Sequence, residues 1–233
     1  MAGDRLSRIM AALGNGDVGR SSTRLCQVSS DIVGVCGAGV MLMGDQAARG
    51  SLCTTNGVSA LIEDLQFTLG EGPCLDAYGD NRVVAEPDLA DPAAARWVAF
   101  TPRAVAAGVG AVFAFPVRSG PLRLGALDLY QDHAGSLSDD QHADALVMAD
   151  VVARWLLDVQ ADAAPGTLAT ELELGSEFYF IVHNAAGALS VQLGSNISEA
   201  MVRMRAYAFS NDLSLRDVAQ AVVARTLLLE RGN

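Results

Sequence analysis

The chain predicts an α+β fold: helices around an antiparallel sheet, followed by an all-α module of three helices. Three observations carry this. Two pairs of short apolar runs, 38–43 with 49–54 and 111–118 with 122–130, are each separated by a turn signal, as in hairpins. Segments at helical spacing surround those pairs, which favours a sheet with its helices on one or both faces. Beyond Pro165-Gly166 the patterns are helical throughout.

Taken in order, 3–13 and about 18–35 are helical, the second entered through the polar Ser21-Ser22-Thr23 with Leu25, Val28, Ile32 and Val33 as its apolar series. Ala38–Met43 ends at the turn signal Gly44-Asp45, and Arg49–Thr54 returns as its partner strand. Val58–Phe67 resumes helical spacing until Gly70-Glu71-Gly72-Pro73 breaks it. Pro73 suits the first turn of a short helix holding Cys74, Leu75 and Ala77, where its missing N–H costs nothing. Val83–Ala85 is a small strand, Pro87–Trp97 a loop with helical fragments, and Thr101–Ala107 a helix. Ser119-Gly120-Pro121 turns the second hairpin.

Ser138 caps a long helix to about Gln160. Its Gln141, Ala145, Met148, Val152, Trp155 and Val159 alternate steps of four and three, a rhythm that serves a coiled-coil seam, packing on the sheet, or both from different apolar faces. The small, polar segment 162–170 is the linker, so the domains are 1–161 and 171–233.

Composition excludes much chemistry. Hydrophobic residues are 51% and charged residues 18% of the chain, which indicates a globular protein with ample core. No apolar run is long enough to span a membrane and no signal-peptide pattern is present, so a cytoplasmic protein is expected. There is no lysine, which removes P-loop, Schiff-base and kinase chemistry and disfavours a phospho-accepting receiver. Cys26, Cys36, Cys53 and Cys74 lack CxxC spacing, and with only His133, His142 and His183 beside them they form no metal pattern. Reduced, mostly buried thiols are expected.

Charge is uneven. Residues 1–170 carry 20 acidic groups against 11 Arg, whereas 183–229 hold Glu199, Asp212 and Asp217 against Arg203, Arg205, Arg216 and Arg225. A locally cationic helical module on an acidic chain points to an anionic partner, and nucleic acid is the class it fits. Its first helix runs from about Leu172 to Leu193 and stops at Gly194. Gly187 inside it, beside Ala185, Ala186 and Ala188, suggests a close helix crossing. Ser198 is the expected cap of the second helix, with Ala200, Met201, Met204 and Ala208 on one face; Ser214 caps the third, with Asp217 three residues on. Helical angle sets Arg203 opposite Met201 and Met204, and turns Arg216 outward. Arg205 lies at an apolar edge, equally suited to a structural tether or a ligand contact. Tyr207 and Phe209 offer stacking faces or core packing, and Asn184 and His183 are either base readers or ordinary surface groups.

The string AAGALSVQLG…SEAMVRMRAYAFSNDLSLRDVAQAVVAR resembles an ANTAR domain, the RNA-binding module of transcription antitermination regulators. It departs from that family's habit at Ala186, where a basic or polar residue often precedes the glycine. Residues 20–160 resemble a GAF sensor domain, on the strings LQFTLGEGPCLDA, AVFAFPVRSGPLRLGALDLY and DALVMADVVA. Together the resemblances imply a non-enzymatic, dimeric regulator that binds paired stem-loops of a nascent transcript and disfavours a terminator hairpin. Four arginines per chain make one module a weak binder, so pairing two of them by dimerisation is a physical need as well.

The GAF resemblance further implies a cup for a small molecule, lined by Phe67, Cys74, Leu75, Trp97, Phe113 and Phe115. Cys74 at a helix start is a candidate for a lowered thiolate pKa, hence for redox sensing or covalent cofactor attachment, beside the plainer reading of a packed thiol. His133 lies in a turn and is expected in solvent. No effector is named by the residues. Two other classes fit parts of the pattern: a module that docks a protein partner, and a GAF-type thiol-dependent sulfoxide reductase.

Overall fold

A computed structural model describes residues 2–14, 21–44, 48–91, 96–164, 169, 172, 177–211 and 213–229. The start of the second helix, Asp45 of the first hairpin turn, part of the Pro87–Trp97 loop, the Pro165-Gly166 linker and residues 173–176 of the expected third-from-last helix lie outside them. The chain forms two compact units, Met1–Phe67 with Glu71–Gly175, and Ser176–Asn233 with Thr68–Gly70.

The first unit is an α+β structure. Its order is α1 (Ala2–Leu13), α2 (Ser22–Val33), β1 (Gly37–Met43), β2 (Ala48–Thr54), α3 (Gly57–Leu69), α4 (Pro73–Asp80), β3 (Val84–Glu86), α5 (Phe100–Ala106), β4 (Ala111–Ser119), β5 (Leu122–Gln131) and α6 (Asp139–Ala161). The five strands lie in the order β2-β1-β5-β4-β3, and every neighbouring pair is antiparallel.

Strand alternation sorts the side chains onto two faces. Ala38, Val40, Phe113, Phe115, Val117, Leu127 and Leu129 join Ile9, Leu25, Val28, Met148 and Val152 in one core shared with α1, α2 and α6. The apolar stripe of α6 is therefore spent inside its own unit: Ala145, Met148, Val152, Trp155 and Val159 are all buried there. The strands present an equally apolar face to that stripe.

Polar groups hold these helices in place. Ser138 and Gln141 form a capping box at the start of α6, with Gln141 N donating to Ser138 Oγ at 3.2 Å and Ser138 N donating to Gln141 Oε1 at 3.0 Å. Gln141 Nε2 also donates to the Val33 carbonyl at 3.0 Å, tying α6 to the end of α2. Arg5 and Arg8 of α1 both reach Asp144 of α6 at 2.6 Å. Cys26 of α2 and Cys53 of β2 are bonded as a disulfide, with Cα atoms 6.0 Å apart. This corrects the expectation of four reduced thiols: α2 packs along β2, and no local spacing motif announces that proximity. Cys36 is exposed and Cys74 buried.

The second unit is built from α7 (Glu177–Leu193), α8 (Ile197–Ser210) and α9 (Leu215–Val223), each packed on the other two. Val182, Ala185, Ala186 and Leu189 meet Ala200, Met201, Met204 and Ala208 and the stripe Leu215, Val218, Ala219 and Val222, all buried. Gly194 ends α7 at φ 65°, the left-handed conformation that favours glycine. Ser214 caps α9, accepting from Asp217 N at 3.0 Å. The cap of α8 is Asn196 rather than Ser198: its Oδ1 accepts from Glu199 N at 2.8 Å, starting the helix two residues earlier than the serine would. Gly187 is also not at a crossing. A Cβ built on it meets nothing within 4 Å, while the contact is made by Ala185 and Ala186, both fully buried.

Candidate functional site

The second face of the sheet carries what the first cannot. Gly37, Gly39 and Met41 of β1 stand opposite Tyr130, Asp128 and Ala126 of β5. The two glycines create room. A Cβ at Gly37 would lie 2.7 Å from Thr55 Oγ1 and 2.9 Å from Asn56 Nδ2, and one at Gly39 would lie 2.8 Å from the carboxyl carbon of Glu63. Glu63, on α3, can therefore lie over the sheet beside Asp128. Glu63 is 1% exposed and Asp128 5%.

Gln66 organises the rest. One turn along α3 from Glu63, its Nε2 donates to Asp128 Oδ2 at 2.8 Å, and its Oε1 accepts from Cys74 N, in the first turn of α4, at 2.7 Å. Gly72, at φ 137°, lets the side chain pass, since a Cβ there would lie 2.6 Å from Gln66 Cγ. Pro73 opens α4 as expected. Glu71 then binds the next element, its Oε1 accepting from Ala99 N at 2.6 Å and Phe100 N at 2.8 Å at the start of α5. The glycine-rich break thus threads one side chain inward and aims another at a helix start.

Electrostatics follow from burial. Asp128 is pushed up to about 6, chiefly by loss of solvent, against the hydrogen bonds from Glu63, Gln66 and Cys74 that favour its charge. Burial, then the neighbouring Asp128, carries Glu63 well above the usual carboxylate range. Glu63, the acid that keeps its proton, donates a hydrogen bond to the Asp128 carboxylate, so the buried pair shares one proton. The adjoining cavity has a volume of about 10 Å³, room for roughly one water, and is lined by Glu63, Asp128, Tyr130, Ser59 and Gly39 among others.

The residues expected to line a cup are placed differently. Phe113 and Phe115 lie on the opposite face, in the core with α6, where the Phe115 ring sits 5.3 Å from that of His142. Alternation along β4 turns Val112 and Ala114, not the phenylalanines, toward the cavity side. Trp97 is buried at the start of α5, edge-on to Phe100 with centroids 5.8 Å apart, and its Nε1 donates to Asp76 Oδ2 at 3.1 Å. Phe67 is fully buried and Leu75 half-buried. Cys74 is fully buried beside Asp128, and burial, then the charges of Asp128 and Glu63, drives its thiol well above its ordinary value. That corrects the lowered-pKa reading: the helix start cannot outweigh desolvation and two acidic neighbours. Glu63, Gln66, Asp128 and Tyr130 were not singled out from sequence, although an aspartate within the apolar run Gly125–Tyr130 is a visible signal. His133 is exposed in its turn, paired with Asp132 at 2.8 Å.

On the second unit, Arg216 and Asn184 are exposed, while Arg205, Tyr207 and His183 are half-buried. Arg203 is partly exposed and pairs with Glu199 one turn away at 3.2 Å. Phe209 is 57% exposed.

The first unit has the GAF-domain fold. It is similar to the GAF domain of a phosphoenolpyruvate-protein phosphotransferase from Acinetobacter, at 14% identity and a TM-score of 0.52 over 69% of this chain and 96% of that one. The GAF domain of a phosphoenolpyruvate-protein phosphotransferase from Coxiella burnetii matches at 13% identity and a TM-score of 0.52, over 69% and 95%. A domain of a two-component sensor histidine kinase protein from Sinorhizobium meliloti matches at 13% identity and a TM-score of 0.50, over 64% and 96%. At these identities the likeness is one of fold. No family model and no curated protein matches the sequence. Among the described residues no helix is long and apolar enough to cross a membrane.

Proposed function

We propose that the chain is a dimeric, non-enzymatic regulator in which the GAF unit senses a small molecule and the three-helix unit binds RNA as an ANTAR-type antitermination module. The observation that carries this reading is the pairing of a GAF fold with a compact α7–α8–α9 unit on which Arg216 and Asn184 are exposed and Arg203 partly so. The arginines contact phosphates and set affinity; Asn184, His183, Tyr207 and Arg205 lie on the same helices as the base-proximal candidates. Binding two stem-loops with two modules supplies by avidity what a lysine-free surface lacks.

The thiols support a binding protein over a thiol-dependent reductase. Cys26 and Cys53 are bonded to each other, Cys74 is fully buried, and only Cys36 is exposed, so the cavity presents no accessible attacking pair.

Terminator read-through in a defined transcription reaction tests the proposal. A leader with two stem-loops ahead of a terminator should yield more full-length transcript when the protein is added, and the gain should disappear when the first stem-loop is deleted. Unchanged read-through at saturating protein, with and without cell-derived small molecules, would refute it.

A further inference from the structure

Two carboxyl groups from different elements share one closed site. Glu63 of α3 and Asp128 of β5 are each more than nine-tenths buried, and both line the same cavity. Gly39 of β1 leaves the space that seats Glu63 over the sheet, since a Cβ there would lie 2.8 Å from its carboxyl carbon. The groups that face the pair come from every element around it, and none is a cation. From α3, Gln66 Nε2 donates to Asp128 Oδ2 at 2.8 Å, and from α4 the Cys74 thiol is hydrogen-bonded to the same carboxylate. From β2, Ser51 is hydrogen-bonded to Glu63, and on β5 the Tyr130 hydroxyl is spent on Asn56 Oδ1 at 3.0 Å. Val112 of β4 and Pro73 of α4 close the wall with apolar surface. No Arg or His lines the cavity, and the chain contains no lysine to reach it.

Such a site holds one negative charge and not two. While the pair keeps its shared proton, Glu63, Gln66 and Cys74 all serve the Asp128 carboxylate. Loss of that proton turns Glu63 from a donor into a second carboxylate beside the first, with neither a cation nor bulk water to offset the repulsion. The ionised pair is relieved only where solvent reaches it, by separation of α3 from β5. Gln66 also accepts from Cys74 N at 2.7 Å, which couples the start of α4 to α3, so the two helices form one cover over the acids.

We propose that the Glu63–Asp128 pair is a proton latch: one shared proton fastens the α3–α4 cover to the sheet, and its loss as pH rises releases the cover and opens the cavity to solvent. This goes beyond the sensor reading, because the signal is the proton itself and no ligand is required. With the cover open, both acids titrate in the ordinary carboxylate range. The closed pair therefore binds the extra proton. Above about 6, where Asp128 is already ionised, that excess is one proton, held by Glu63. Opening then becomes about tenfold more favourable per pH unit, until the closed-state value of Glu63 is passed and the effect levels off.

Amide hydrogen exchange of the full chain from pH 6.5 upward, expressed as protection factors, tests this. The amides of α3 and α4 should be less protected than those of β4 and β5 at every pH, and their protection should fall about tenfold per unit before levelling. Glu63→Gln keeps an N–H donor for Asp128 and has no proton to lose, so protection of its cover should stay level over the same range. Wild type at pH 7 should also show a protonated-carboxyl infrared band that Glu63→Gln lacks. Wild-type protection of the cover that does not change with pH, or that equals the protection of β4 and β5, would overturn the latch. So would the wild-type slope persisting in Glu63→Gln, or absence of the infrared band. The read-through reaction tests the RNA reading separately, so either can fail while the other stands.

Discussion

Gln66 on α3 and Asp128 on β5, separated by 62 positions in the chain, meet through a buried 2.8 Å hydrogen bond that joins the helical cover to the sheet. The same amide accepts from Cys74 N, so one side chain satisfies a carboxylate and a helix start together. Replacing Gln66 with Leu leaves both without partners in a site closed to water. Each orphaned group costs about 1–3 kcal/mol. Urea denaturation of Gln66→Leu should show a loss in that range or above, and Gln66→Glu, which sets a third acid beside Asp128, should lose at least as much.

The acid pair gives stability a definite pH dependence. Folded Asp128 holds its proton to about 6 and Glu63 is raised well above the usual carboxylate range, whereas both release the proton in that range when unfolded. The folded state binds more protons in that window, so the pair's contribution is complete at acid pH and is lost as pH rises through the folded values. Glu63→Gln removes one of the two raised carboxyls. Denaturation midpoints of the variant should therefore fall less steeply than wild type from pH 4 to pH 7; parallel slopes would contradict the coupling.

The cysteines separate cleanly by reactivity. Native protein should show one fast-reacting thiol, Cys36, with Cys74 reacting only on unfolding and Cys26 and Cys53 only after reduction. The disulfide closes a loop with a sequence separation of 27, for which the chain-entropy model gives about 3–4 kcal/mol. Cys26→Ser with Cys53→Ser should lose stability of that order in denaturant titration.

Gly187 sits on α7 with open space around it, so a methyl there fits. Gly187→Ala should stabilise the second unit by about 0.5–1 kcal/mol through helix propensity alone. A loss instead would show that the glycine is needed in a state other than the free chain.

The elements were legible because each has a local signature. Ser138 as a cap, Ser214 with Asp217, Pro73 at a helix start and Gly194 at a helix end all act within four residues, and each occupies its expected role; Gln141, read as part of the stripe, completes the capping box instead. The strands followed from turn signals for the same reason. The cavity was not legible, because it is made by contacts between residues far apart in sequence. Phe113 and Phe115 look like pocket residues until register assigns them to the α6 side, and Glu63 looks like a surface acid until Gly39 gives it room. The Cys26–Cys53 bond depends likewise on how α2 lies along β2, which no spacing encodes. For the second unit, helical angle separated the buried stripe from Arg216, but the Glu199 partner of Arg203 required the folded geometry.

Fluorescence anisotropy of the purified full chain with a tandem stem-loop RNA, repeated across a salt series, bears most directly on the RNA-binding role. Saturable binding should weaken with salt, and Arg216→Ala should lower affinity and reduce the log–log salt slope by roughly one phosphate contact, about 0.7–0.9. Arg203→Ala should do less, since Glu199 already neutralises that side chain. Affinity no greater than for a scrambled hairpin, or a slope unmoved by Arg216→Ala, would contradict an RNA-binding output.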